Sequence, residues 1–172
     1  MPAAVRFVLG IALAVVVHFV GARLFPEFPR AVDVFLVVAV LYALSGDSLT
    51  ALFAGLAVGL IEDTLTGGLY GLYGFADTIV GYGTARLAQR LVIQRATGVL
   101  AVAGLASLAQ QGIVVGLAWM LFPSPSFPQL PWVGVKAVAC GVLAMLIHAA
   151  TERFRRTYEV RRRSRASRLR MG

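Results

Sequence analysis

The chain has 172 residues, of which 59% are hydrophobic and only 14% are charged, and its mean hydropathy is +0.81. About a quarter of the residues in a soluble domain are charged, so this composition excludes an ordinary soluble protein and indicates an integral membrane protein. The net charge is +8, and nine of the 16 basic residues follow Ala150. Because these nine adjoin an apolar run, anionic lipid headgroups fit them better than nucleic acid does. The single cysteine, Cys140, excludes an intramolecular disulfide.

Six apolar runs predict an all-α, polytopic membrane protein with about six transmembrane helices. They cover residues 5–24, 31–45, 49–65, 69–87, 97–122 and 132–150. The first run has the ~20 residues that span a bilayer, and Pro26 and Pro29 follow it. The second and third runs would form one helix of about 52 Å, which exceeds a hydrocarbon core of ~30 Å, so we predict two spans. The domain prediction is therefore a six-span domain over 1–150 and a basic tail over 151–172.

The distribution of lysine and arginine predicts the orientation. With six spans and a cytoplasmic N-terminus, the inner side holds Arg6, the arginines at 86, 90 and 95, and the nine in the tail. That makes 13 basic residues inside, against Arg23, Arg30 and Lys136 outside. The positive-inside rule favours this arrangement, and we expect both termini in the cytoplasm.

Residues 51–83 combine small residues with acids inside an apolar sequence. Gly55, Gly59 and Asp63 follow Ala51 at intervals of four, so a helix aligns them in a stripe that lets another backbone approach closely. Further glycines stand at 67, 68, 71 and 74. Since each glycine costs about 1 kcal/mol against alanine inside a helix, they predict a turn or an unwound segment.

Three acids lie in this region: Glu62, Asp63 and Asp77. A carboxylate facing lipid costs roughly 2.5–3.5 kcal/mol on translocon scales, so we expect each to face protein, water or a membrane interface. The predicted topology places Asp63, Asp77 and Lys136 near the outer side. The leading interpretation is an ion pair between Lys136 and Asp63 or Asp77, and the alternatives are a polar cavity for a ligand or ion and simple exposure at the interface.

Two adjacent glutamines, Gln110 and Gln111, interrupt the fifth run. Adjacent residues of a helix point to different faces, and an unsatisfied amide in hydrocarbon costs several kcal/mol. At least one of the two should therefore contact another helix.

The sequence contains no pattern typical of a catalytic, metal or cofactor site. No His, Cys, Asp and Glu group has metal-ligand spacing, no serine stands in a nucleophile motif, and no glycine-rich phosphate loop is present. We therefore predict a protein that is not an enzyme and has no cofactor. The sequence around Asp63 and Asp77 also differs from the motifs of membrane aspartyl proteases.

The stretch GLIEDTLTGGLYGLYGFADTIVGY resembles the core motif of the MreD family, the membrane subunit of the bacterial rod-shape machinery. The matching residues are Gly59, Asp63, Gly67, Gly71 and Tyr82. The resemblance implies a non-catalytic scaffold of the bacterial inner membrane that binds MreC. It also implies action with MreB, RodA and a class B penicillin-binding protein in lateral peptidoglycan synthesis. Asp77 and Glu62 are not part of the family pattern.

MreD also resembles, in size and helix count, the substrate-binding subunits of energy-coupling-factor vitamin transporters. This resemblance supplies the alternative hypothesis, a membrane module that binds a small molecule.

The basic tail has two interpretations. Its arginines anchor the chain on anionic headgroups and fix its orientation, or they dock a cytoplasmic partner such as the MreB filament. The candidate residues are Arg153, Arg155, Arg156, Arg161, Arg162 and Arg163.

Overall fold

The computed structural model describes residues 3–67, 70–90, 95–121 and 129–168, with side chains up to Phe154. Its regular elements are all helices over these ranges, as predicted for an all-α protein. The helices are α1 (Ala3–Leu24), α2 (Phe28–Ala31), α3 (Val34–Ala43), α4 (Ser48–Thr66), α5 (Leu72–Arg90), α6 (Ala96–Leu121) and α7 (Leu130–Arg168).

Four of these helices, α1, α4, α6 and α7, are long and apolar enough to cross a membrane, judged by length and composition. These four helices suggest a membrane protein.

The second predicted span is shorter than expected. Within the run 31–45 the main helix is α3. It has 10 residues, or about 15 Å. The short helix α2 precedes it, with Pro29 in its first turn, and an extended segment separates the two. The apolar run begins earlier than the helix because the Asp33 side chain starts α3 by accepting a hydrogen bond from the Leu36 N–H.

The apolar helix α3 forms the centre of the bundle. Seven of its 10 residues are buried, and Leu36, Val37 and Val40 pack in one cluster with residues of α5, α6 and α7. Its other face contacts α1 and α4 through a second cluster that includes Phe35 and Val58. Protein therefore surrounds most of this short helix.

The most extensive helix–helix contacts are those of α4 with α5 and of α6 with α7. By contrast, α1 lies at the edge of the bundle, and nearly all of its side chains are exposed or half-buried. The last helix, α7, continues beyond the predicted sixth span at 132–150 and reaches Arg168. The backbone of the basic tail is therefore helical over most of its length and is continuous with α7.

Candidate functional site: the polar end of the bundle

The α4–α5 connection is organised by Asp63, which lies in the last turn of α4. Its carboxylate accepts three backbone hydrogen bonds from the start of α5: from the N–H groups of Gly71 and Gly74 to Oδ2, at 2.9 and 3.0 Å, and from Tyr73 to Oδ1, at 3.0 Å. The first N–H groups of a helix have no partner within the helix, and a negative charge there is also favoured by the helix dipole. Asp63 thus caps α5 from the preceding helix.

Two glycines allow the chain to make this connection. Gly67 ends α4 with φ of 65°, and Gly71 precedes α5 with φ of 95°. Side chains other than glycine are strained at such angles. The predicted glycine-rich turn is confirmed at these two residues, but Gly74 lies inside α5. Gly68 falls outside the described residues.

The predicted small-residue stripe of α4 packs directly on the α5 backbone. A Cβ atom on Gly55 would lie 2.1 Å from the Asp77 carbonyl oxygen, and one on Gly59 would lie 2.4 Å from that of Tyr73. Such distances are below any real Cβ contact, so only glycine permits this approach. The stripe is therefore already covered by a helix of the same chain.

The prediction that Lys136 forms an ion pair with Asp63 or Asp77 is wrong. Lys136 Nζ lies 2.9 Å from Asp33 Oδ2, whereas Asp63 is occupied by the start of α5 and Asp77 by Gln110. The ammonium also stands 5.8 Å from the ring centroid of Tyr73. Both charged side chains of the pair are buried, so the ion pair joins the start of α3 to α7 inside the protein.

A second contact reinforces the same junction. The Asp33 N–H donates to Cys140 Sγ at 3.3 Å, and the thiol lies 3.7 Å from the Asp33 carbonyl oxygen. Sequence reasoning missed Asp33. The available signal was its position immediately before the apolar residues of α3, where an aspartate is typical of a helix N-cap.

Asp77 contacts α6. The fully buried Gln110 donates from Nε2 to Asp77 Oδ1 at 2.8 Å. Its neighbour Gln111 reaches the Val133 carbonyl oxygen of α7 at 3.4 Å and Ser107 of its own helix at 3.3 Å. The prediction that at least one glutamine contacts another helix is confirmed for both.

Together, five buried side chains form what we term the polar cluster: Asp33, Glu62, Asp77, Gln110 and Lys136. Glu62 interacts electrostatically with Asp33, Asp77 and Lys136. The cluster is contributed by the start of α3, the end of α4, the first half of α5, the second half of α6 and the start of α7. The Lys136–Asp33 and Gln110–Asp77 contacts bring these segments together.

Some polar atoms of the polar cluster have hydrogen-bond partners and others do not. Glu62 Oε2, Asp77 Oδ2 and Gln110 Oε1 are buried and have no hydrogen-bond partner among the described residues. Over the same part of the chain, no three His, Cys, Asp or Glu side chains are grouped so that they could hold a metal ion.

Tyr82 and the tail arginines are the remaining predicted site residues. Tyr82 is on α5, partly exposed, with the guanidinium carbon of Arg86 5.7 Å from its ring centroid. Among the tail arginines, the structure describes the side chain of Arg153 only. The side chains of Arg155, Arg156, Arg161, Arg162 and Arg163 fall outside the described residues.

Comparison of the chain with family models, with curated proteins and with solved structures found no match.

Proposed function

We propose that this chain is a non-catalytic membrane scaffold of the MreD type, which binds MreC and acts with MreB, RodA and a class B penicillin-binding protein in bacterial cell elongation. One observation carries the proposal. Four of the five residues on which the resemblance depends, Gly59, Asp63, Gly67 and Gly71, form a single structural unit, the α4–α5 connection. Residues that fix the angle and spacing of two helices suit a scaffold, whose task is to present a rigid surface.

The proposed topology has six membrane passages with both termini in the cytoplasm. The passages α1, α4, α6 and α7 have the required length and apolar character. In this proposal α2, the extended residues 32–33 and α3 make the second passage, enclosed by protein, and α5 makes the fourth. The polar cluster then lies towards the outer side.

Topology is tested with reporter fusions. A reporter after Gly172 should be active only in the cytoplasm, and one inserted within 123–128 should be active only outside. Reports from the same side would contradict the six-passage arrangement.

The partner is tested by affinity purification from bacterial membranes in mild detergent, followed by mass spectrometry. Recovery of MreC and the wall-synthesis proteins supports the scaffold. Tyr82 is a candidate contact because it matches the family motif and remains partly exposed. Tyr82→Ala should reduce recovery of MreC at unchanged protein level, and Phe75→Ala, an exposed aromatic residue on the same helix, should not.

The polar cluster favours a second candidate, a substrate-binding membrane subunit of a vitamin-type transporter. Ligand sites in membrane bundles use buried polar side chains. In this chain, Glu62, Asp77 and Gln110 are side chains of that kind. Co-purification of a bound small molecule and ATPase subunits, without wall-synthesis proteins, would support this candidate and contradict the scaffold.

The tail is proposed to bind anionic headgroups, since juxtamembrane basic residues gain about 1 kcal/mol each near an anionic surface. Replacement of the arginines after Glu159 by lysine keeps the charge but removes the planar guanidinium that pairs bidentately with carboxylates. Membrane attachment and cell shape should remain normal. Loss of cell shape at normal protein level would instead favour docking to a cytoplasmic protein.

A further inference from the structure

The polar cluster has more hydrogen-bond acceptors than donors. Its three groups without a partner among the described residues, Glu62 Oε2, Asp77 Oδ2 and Gln110 Oε1, are all oxygen atoms. A buried polar atom normally has a partner, so the complementary group must be a hydrogen-bond donor or a cation.

The charges of the cluster indicate which of these is needed. Asp33, Glu62 and Asp77 carry three carboxyl groups, and Lys136 supplies one ammonium, which is already paired with Asp33 at 2.9 Å. In the ionised form, Glu62 and Asp77 therefore add two negative charges without a paired cation. Removing an ion from water is unfavourable, so an ionised pair needs positive charge, which either a bound cation or protons on the carboxyl groups can supply.

Gln110 provides an observation independent of the acids. It is fully buried, and its Nε2 is committed to Asp77 Oδ1 at 2.8 Å. This bond assigns the amide oxygen, Oε1, to the remaining position, where it has no donor within the described residues. An amide oxygen in one cluster with two carboxyl groups is a ligand set suited to hard cations, which bind oxygen.

The surroundings favour a single charge on the ion. The Lys136 ammonium belongs to the same cluster and would repel a divalent cation more strongly than a monovalent one. We propose that Glu62, Asp77 and Gln110 bind a small monovalent cation, of the size of sodium, between α4, α5 and α6.

The proposal goes beyond the scaffold function and does not depend on it. A cation here would join three helices at the end of the bundle where Asp63 fixes the α4–α5 turn. Bound cation would therefore stabilise the folded chain.

The test is thermal unfolding of the full chain, purified in mild detergent and followed by intrinsic tryptophan fluorescence. Choline chloride is replaced stepwise by sodium chloride at constant ionic strength and pH. We expect Tm to rise saturably, by roughly 5–10 °C at about a hundredfold excess over the dissociation constant. Glu62→Gln and Asp77→Asn should lose this rise, and Glu27→Gln, which changes an exposed carboxylate, should keep it.

Direct binding of radioactive sodium to the wild-type chain tests the site even where a variant fails to fold. Saturable binding, displaced by unlabelled sodium and absent from folded Glu62→Gln, supports the proposal. Identical unfolding curves in sodium and choline, or a sodium effect retained in both Glu62→Gln and Asp77→Asn, would overturn it. A stability that follows pH but not sodium would assign the charge to protons shared among the titratable groups of the polar cluster and the neighbouring Tyr73, and would also overturn the metal-cation site.

Discussion

Glu62 and Asp63 are adjacent in α4 and both are buried, yet they belong to regions of opposite character. Asp63 is saturated by three N–H groups of α5, whereas Glu62 has a buried oxygen without a partner among the described residues. The difference follows from helix geometry, because adjacent residues point about 100° apart around the axis. One acid therefore reaches the α4–α5 connection and the other reaches the polar cluster. Burial of a carboxylate alone does not reveal whether it serves structure or binding.

The largest effect is expected from removing the one ammonium of the polar cluster. Lys136→Met leaves Asp33 buried and unpaired, which should cost about 3–5 kcal/mol because breaking a buried ion pair leaves an uncompensated charge. The double variant Asp33→Asn with Lys136→Met should recover most of the loss, since asparagine can still cap α3. Urea or thermal unfolding in detergent measures both. A double variant no more stable than Lys136→Met alone would contradict the pairing.

A smaller loss of stability is expected from a substitution where α4 packs on the backbone of α5. Gly55→Ala places a Cβ atom 2.1 Å from the Asp77 carbonyl oxygen, and separating the helices should cost about 1–3 kcal/mol. The matched control is Gly112→Ala in α6, where nothing lies within 4 Å of the added atom. That variant should gain up to about 1 kcal/mol from helix propensity. Equal Tm values for the two variants would show that the close approach is not needed.

Sequence reasoning identified the helical class and the glycine turn, because each has a local signature. Apolar runs, glycines that tolerate positive φ and intervals of four residues are all visible along the chain. The partner of Lys136 was not predictable in this way, since Asp33 is 103 positions away and the choice among acids depends on how α3 packs against α7. The length of α3 was also overestimated. The apolar run continues through the N-cap of α3, because apolar composition indicates burial and does not show where a helix begins or ends.

The comparison between the adjacent acids is sharpened by changing each to its amide. Asp63→Asn replaces one acceptor oxygen by an NH₂ group facing backbone donors, so it should cost about 1–3 kcal/mol. Glu62→Gln replaces a buried carboxyl group whose Oε2 has no protein partner within the described chain, so in sodium-free buffer it should be neutral or stabilising. Asp63→Leu should be worse than Asp63→Asn, because it removes every acceptor. Thermal unfolding ranks the three, and a larger loss for Glu62→Gln than for Asp63→Asn would reverse our assignment of the two regions.

The smallest effect is expected at the opposite end of α4, where Asp47 caps the helix in full exposure. The Thr50 hydroxyl and backbone N–H both donate to the Asp47 carboxylate, and these bonds lower the pKa of Asp47 below its ordinary value. A carboxylate with a lowered pKa stabilises the folded state above its unfolded pKa of about 4, and this contribution is lost as the pH falls through the lower, folded-state value. Asp47→Ala should therefore lower Tm slightly at pH values well above 4, and its difference from wild type should shrink in acid. Unfolding curves measured across that range check the sign, and a difference that grows as the pH falls would show that the ionised cap is not what stabilises the start of α4.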